Sequence, residues 1–425
     1  MDRIKLTISM ACRNLLRNRR RTISTLLAIA VGLVGLTFLD GYMTYSMNGL
    51  RENVIHDGTG HIQAALSPAY FDEGDGDPMP FMLPDAKELE RELRSLPEVK
   101  DVVPTLSFVA VLSAKGKTST VQVSALPTAQ AKADVESRRI AAGRDLEPGE
   151  PGRILVGRGL ARKLGLAPGD SVSLFAVSKG GGINTLSYEV KGTTSTIIAA
   201  IDNVSVAMDL RDASELLGAD TVPRLTVFLK STADTSRVLA RLRSASADGA
   251  AAPAGSDARM RAAAGLTFRS WEELSAYYRQ ASGSFDMVFA VTRLIVLIVA
   301  LFSISGTLSL AILERLREIG TLRTFGTRRG QVTAMFLAEG LALGIAGIAV
   351  GAALGLGGIG IFNAAGGMTM PAQPGMSSAF KILFTPRLAT LLVSALWIFG
   401  ASAVGALIPA AVSSRRVIAE LLRSK

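Results

Sequence analysis

The sequence predicts an α-helical membrane protein with four transmembrane helices, one before and three after a large extracytoplasmic α+β domain. Three observations predict it. Four uncharged stretches, each bounded by arginines or acids, are long enough to cross a hydrocarbon core, which takes about 20 residues at 1.5 Å rise each. Residues 40–286, of mixed polarity, separate the first stretch from the second, whereas the last three lie close together. Lysines and arginines crowd the short segments that would share one side of the bilayer.

The chain opens with Ile4, Ile8, Ala11 and Leu15 on one helical face and basic residues on the others. That spacing predicts an amphipathic helix over 1–21 lying in the membrane interface. Thr22 to Leu39, between Arg21 and Asp40, is the first uncharged run and places the first span at 22–41. It follows a basic stretch and lacks a small-residue cleavage site, so it reads as a signal anchor and not as a removed signal peptide.

Tyr42 to Val54 is expected to continue as helix into the domain at 42–286, with helical stalks at both ends. Runs rich in Val, Thr and Phe predict strands at His61–Leu66, Val102–Leu112 and Ser119–Leu126, the last two joined by a hairpin turn at Ala114-Lys115-Gly116-Lys117. Asp85–Leu96 reads as an amphipathic helix opened by Pro84. Arg153-Ile-Leu-Val-Gly comes next, then Arg158–Leu164 has helical character and Ser171–Val177 reads as a strand. Gly180–Gly182 reads as a turn. Thr185–Lys191, Ser195–Ile201 and Leu225–Leu229 read as strands and Thr235–Ser244 as a helix. Ala245–Ala264, rich in Ala, Gly and Ser, predicts a loop. Trp271–Arg279 restores helix and leads into the second span.

Leu294–Leu313 is the second uncharged run, and the span is placed at 287–313. The third span is placed at 331–358. Its Gly340, Gly344, Gly347, Gly351 and Gly355 repeat every three or four residues, so one face invites close approach of another helix, inside the bundle or in a dimer. Gly357–Gly367 is too rich in glycine to read as helix and marks the end of the span. A short outer loop at 359–387 carries Pro371 and Pro374. Leu388–Ser414 is the fourth run, the span falls at 388–412, and a tail follows at 413–425.

The net charge of +10 is a topology signal. The basic residues of 1–21, of the connection after the second span and of the tail place all three in the cytoplasm by the positive-inside rule. The intervening domain is net acidic. Contact with membrane lipids follows, and a nucleic-acid partner does not. The single cysteine, Cys12, falls on the cytoplasmic side. A disulfide within the domain is thereby excluded, and the domain must rest on its own core, in two subdomains.

No Ser/His/Asp or Cys/His constellation suggests an enzyme, and no metal is expected. His56 and His61 flank Asp57, but histidines five apart at a helix-to-strand junction read as ordinary surface residues. Asp72, Glu73, Asp75 and Asp77 form an acidic run without the spacing of a calcium loop. Arg293 and Glu339 sit at span edges, where snorkelling accounts for them.

The segment Ile312–Glu339, ILERLREIGTLRTFGTRRGQVTAMFLAE, alternates acids and arginines beside apolar residues. Composition alone allows a docking element or a solvated turn. The pattern resembles the signature of the FtsX/MacB-type ABC transporter permeases, E-R-x-R-E-I-G-x-L-R-x-x-G followed by F-x-x-E. Glu314, Arg315, Arg317, Glu318, Ile319, Gly320, Leu322, Arg323, Gly326, Phe336 and Glu339 match it. Ala11–Thr22, Gly152–Leu174 and Pro409–Arg423 resemble the family's opening helix, outer domain and closing tail. Asp57–Gln63 leans toward the lipoprotein-releasing LolC/LolE subgroup.

The resemblance implies a bacterial inner-membrane permease. The segment 314–330 would be a coupling helix seated on a cytoplasmic ABC ATPase dimer through the matching residues and Phe325. The chain has no G-x-x-x-x-G-K-[ST] phosphate loop, so it is expected to be a non-catalytic subunit, with ATP and Mg held by the partner. A second permease chain, the same or related, would complete the transporter, with a periplasmic or lipoprotein partner outside. The implied action is mechanotransmission, moving the outer domain to extract or export a lipoprotein or lipid-like substrate. The alternative is an FtsX-like regulator that activates a cell-wall hydrolase.

Overall fold

The computed structural model describes residues 19–130, 139–196, 199–248, 265–370 and 380–414. The expected interfacial helix therefore lies outside them except for Arg19–Arg21, as does the tail beyond Ser414. The chain divides into two compact units, one of residues 1–48, 281–369 and 381–425, the other of residues 49–280 and 370–380.

Among the described residues, the first unit is built on four long helices, each long and apolar enough to cross a membrane: α1 (Arg19–Val54), α6 (Ala276–Glu314), α8 (Arg329–Ala364) and α9 (Leu388–Ser414). Their buried seam is Ile29 and Leu33 of α1, Ala300, Ile304 and Leu308 of α6, and Ile398 and Ala406 of α9. The glycines of α8 set the approach of two neighbours. A Cβ on Gly340 or Gly344 would meet Ala406 and Ser402 of α9. One on Gly347, Gly351 or Gly355 would meet Ile29, Ala30 and Thr37 of α1. The five glycines thus serve two seams within one chain. Between α1 and α6, Thr25 and Thr307 share a hydroxyl hydrogen bond of 2.5 Å.

α8 does not stop at Gly357 but runs to Ala364. Glycine lowers helix propensity by about 1 kcal/mol per residue, and packing overrides it here. A Cβ on Gly358 would lie 3.2 Å from the Phe38 ring. The helix ends where Asn363 brackets the next segment, its amide donating to Phe384 O (2.8 Å) and its carbonyl accepting from Phe384 N (3.0 Å). Beside it the buried carboxylate of Asp40 accepts from the backbone N of Arg387 at 2.8 Å and from its guanidinium at 3.2 Å. Of the expected outer loop, Met368–Met370 and Phe380–Ile382 pair as a two-stranded ribbon.

Among the described residues the second unit holds ten strands in one sheet: β1 (Ile62–Ala65), β2 (Val99–Ala114), β3 (Lys117–Leu126), β4 (Arg139–Gly143), β5 (Arg153–Gly157), β6 (Ser171–Val177), β7 (Ile183–Ser195), β8 (Ser205–Asp209), β9 (Arg224–Leu229) and β10 (Thr267–Ser270). Helices α2 (Ala86–Arg94), α3 (Arg158–Leu164), α4 (Leu210–Leu217) and α5 (Thr235–Asp248) accompany them. The long strand β2 divides its pairing. Val99–Thr105 pairs with β9, which continues to β1 and β10. Leu106–Ala114 pairs with β3, and Val111–Ser113 also with β6. The second ladder closes on itself in the order β2, β3, β8, β5, β7, β6 and back to β2. Each strand of this circuit has a neighbour on both sides, and β4 adds to it by pairing with β7. The two ladders share one strand, and their buried side chains form one continuous core.

The β2–β3 hairpin turns at Lys115 (φ 52°) and Gly116 (φ 72°), the double positive φ of a type I′ turn. The open edge at β10 is blunted by α5. Arg243 donates to Phe268 O through two nitrogens (2.8 and 3.1 Å), and Ser246 donates to Leu266 O (2.5 Å). Two local expectations fail. Ser195–Ile201 is not a strand, because β7 ends at Ser195 and Ala199–Asp202 is helical. The Asp202 carboxylate there accepts from Ser195 Oγ and from Thr196 N and Oγ1, turning the chain away from the ladder. Trp271–Arg279 is broken at Ser275, which separates a short turn of helix, Trp271–Leu274, from α6. Of the expected loop Ala245–Ala264, residues 245–248 extend α5 and the rest lie outside the described residues.

His61 is no surface residue. It is 4 % exposed, its Nδ1 accepts from Leu229 N–H (3.1 Å), and Nε2, which then carries the proton, donates to Thr232 Oγ1 (3.1 Å). Burial first, and His56 second, push its pKa down from 6.5 to about 4. The folded chain therefore keeps this imidazole neutral where the unfolded chain protonates it. Stability is lost as pH falls from about 6.5 towards 4, and between pH 6.5 and 5 the loss is about 1.5 kcal/mol. Urea unfolding at the two pH values checks this: the loss should shrink by that amount in His61→Asn, and an unchanged pH dependence would remove the histidine as its source.

Candidate coupling site

The site is the turn between α6 and α8. α6 stops at Glu314, and Arg315 leaves helical geometry (φ −107°, ψ 15°). A short helix, α7 (Leu316–Thr324), follows. The expected helix over 314–330 is thus a nine-residue helix with a break before it and a turn after it. Its end is set by Gly326, whose φ of 93° strains any L side chain. α8 is then opened by Gln331, whose side chain accepts from Arg328 N at 2.9 Å, one half of a capping box.

The spacing of apolar residues gives α7 two faces. Leu316 and Ile319 are buried against Ile312, Val332, Phe336 and Ala410, which come from α6, α8 and α9. Gly320 is buried beside them, and Leu322 falls within the helix. Arg317, Glu318, Thr321 and Thr324 are exposed, Arg323 is half-buried, and Phe325 is 89 % exposed at the helix end. A large aromatic held outside its own core next to charged groups is the composition of a protein-contact anchor. Thr321 and Thr324 return their hydroxyls to Glu318 O (2.9 Å) and Thr321 O (2.7 Å), which ties the polar face to the backbone.

Two ion pairs link the turn to neighbouring helices. Arg21 meets Glu314 at 2.7 Å. Arg315 meets Glu339 of α8 at 3.6 Å, with only 9 % and 5 % of the two side chains exposed. Snorkelling therefore does not account for Glu339. The other charged residue near a span edge, Arg293, lies over the Phe289 ring at 4.7 Å. The matching residues Phe336 and Glu339 fall on the buried side of α8, one beneath Ile319 in the apolar cluster and one on Arg315. Sequence reasoning missed these pairings, although both members of the second lie in the signature.

The family profile of the MacB-like periplasmic core domain matches residues 22–245, and that of the FtsX-like permease C-terminal region matches residues 290–420. The chain belongs to the FtsX/MacB-type ABC transporter permeases. This permease is 25% identical over 342 residues to the lipoprotein-releasing system transmembrane protein LolC of Neisseria meningitidis serogroup B (strain ATCC BAA-335 / MC58), covering 78% of this chain and 76% of that one. Among solved structures, the periplasmic region of MacB from Actinobacillus actinomycetemcomitans is 12% identical with a TM-score of 0.35, covering 53% of the permease and 95% of that chain. The extracellular domain of the noncanonic ABC-type transporter YknZ from Gram-positive bacteria is 15% identical with a TM-score of 0.30, covering 36% and 78%. Likenesses that low carry no argument about the permease, and the family rests on the profile matches.

Proposed function

We propose that this permease is the membrane subunit of an ABC transporter and that α7 docks on a separate ATPase subunit. The observation that carries the reading is the outward face of α7, with Arg317 and Glu318 exposed on a helix whose other face is locked into the bundle and an exposed Phe325 just past its end. ATP and Mg would be bound by an ATPase dimer beneath two permease chains. Closure of that dimer would displace α7, and α6 and α1, both of which extend beyond their apolar segments, would carry the motion to a domain outside the membrane. The termini would lie in the cytoplasm of a bacterium with this chain in its inner membrane. Glu318→Ala with Arg323→Ala is expected to lower ATPase stimulation at least about tenfold, the equivalent of about 1.4 kcal/mol, with membrane insertion intact. Unchanged ATPase activity together with unchanged ATPase association would sink the docking role.

The substrate proposed is a lipoprotein or lipid-like molecule drawn from the outer leaflet. Similarity to LolC over 78% of the chain, which takes in domain and helices alike, supports that class over regulation of a cell-wall hydrolase. Mass spectrometry of material co-purified from native membranes in mild detergent tests it. An ATPase with acylated proteins is the expected result, and an ATPase with a cell-wall hydrolase would move the assignment to the FtsX-like regulators.

A further inference from the structure

Two neighbouring residues at the α6–α7 break carry opposite charges to two different helices. Glu314 takes Arg21 of α1, and Arg315 takes Glu339 of α8. The pairs are not alike. The first is nearly half exposed, with side-chain exposures of 40% and 49%, and contributes little. The second is shut away from water, and burying both ions costs about as much as their attraction returns. An apolar pair of similar volume would pack with Ile312, Leu316, Ile319 and Phe336 at least as well. Stability alone therefore does not explain an arginine facing a glutamate at this place.

Direction explains it. Arg315 leaves helical geometry, although its N still donates to Ile312 O (3.1 Å) and its O accepts from Ile319 N (2.9 Å), so α7 is not a straight continuation of α6 and its angle has to be set by contacts with other helices. Apolar contacts can slide, whereas a guanidinium with one buried carboxylate to meet has one low-energy position, and selecting one arrangement is the best attested role of buried polar pairs. We propose that Glu339 is the positioning residue of α7: through Arg315 it sets the angle of the short helix against α8, and with it the orientation of Arg317, Glu318 and Phe325. The consequence for ATP coupling rests on the docking role proposed above; the geometry does not.

The test uses the full chain in lipid nanodiscs, with Cys12→Ser removing its single native thiol. Spin labels at the exposed positions Thr324 of α7 and Ile345 of α8 report the angle as a distance distribution. The parent should show one narrow peak, and Glu339→Gln should lose it. Arg315→Met with Glu339→Leu should regain the parent's thermal stability without regaining the peak, which a merely structural role would not produce. The exchange Arg315→Glu with Glu339→Arg should restore the peak. An unaltered peak in Glu339→Gln, or a parental peak in the apolar pair, would overturn the proposal. If the peak is lost as expected and ATPase stimulation is nevertheless unchanged, the positioning role stands and the docking role of α7 fails.

Discussion

Gly351→Leu is expected to destabilise the helical unit by about 3 kcal/mol or more, at the upper end of overpacking costs. A Cβ there would lie 3.0 Å from Ala30 Cα, Ala30 O and Leu33 Cβ. Two of those atoms are backbone and cannot swing aside, so α1 and α8 must separate along the seam that Gly347 and Gly355 share. Gly357→Leu is the control on the same helix, because nothing lies within 4 Å of its added Cβ. It is expected to stay within about 0.5 kcal/mol or to stabilise slightly, since leucine favours helix more than glycine. Thermal unfolding of both variants in one detergent, followed by circular dichroism, separates them. Equal midpoints would refute the assignment of close approach to Gly351.

Trp271→Ala should cost about 3–5 kcal/mol in the mixed α and β unit, the range for removing a large buried aromatic. The indole is 2 % exposed among Ile55, Val103, Leu126 and Phe228, and its ring stands edge-on to Tyr278 at 4.6 Å. Its backbone N also donates to His61 O (3.1 Å), directly after the Ser270 side chain has capped the helical turn through Glu273 N. Truncation therefore removes the packing that joins β10 to the turn before α6. Urea unfolding followed by limited proteolysis should show the loss, with Trp271→Phe recovering more than half of it. A cost below about 1 kcal/mol would mean that the cluster collapses around the gap, contrary to close packing.

The parts of the fold legible in the sequence are those decided by local composition. Long helices lie where the four uncharged stretches do, because a helix that satisfies its own backbone and lacks charge needs no distant partner to be recognised. The hairpin turn at Lys115-Gly116 was likewise a local matter. Strands were harder. β4, β8 and β10 were not anticipated, since short segments such as Ser205–Asp209 become strands only when β3 and β5 lie on either side to pair with them. The end of α8 was misplaced because glycine propensity was weighed without the Phe38 ring that packs on Gly358.

At the candidate site the division is the same. The charged and apolar residue types of Glu314–Gly326 were readable, and so was their resemblance to the permease signature. Which of them face inward was not, because Ile319 is buried only by Val332 and Phe336 from a later helix. Glu339 read as a residue at a membrane edge until the fold placed it against Arg315.

Legible in the sequence were four apolar stretches, a family signature between the second and third, and a glycine face on one helix suited to close approach. The folded arrangement assigned α9 to Gly340 and Gly344 and α1 to Gly347, Gly351 and Gly355. It also decided that β2 serves two ladders, one of them closed. Hydropathy and helical spacing are properties of neighbours in the chain. The partner that fills a notch, completes a ladder or neutralises a buried charge is set by residues far away in sequence, and it exists only once the chain has folded.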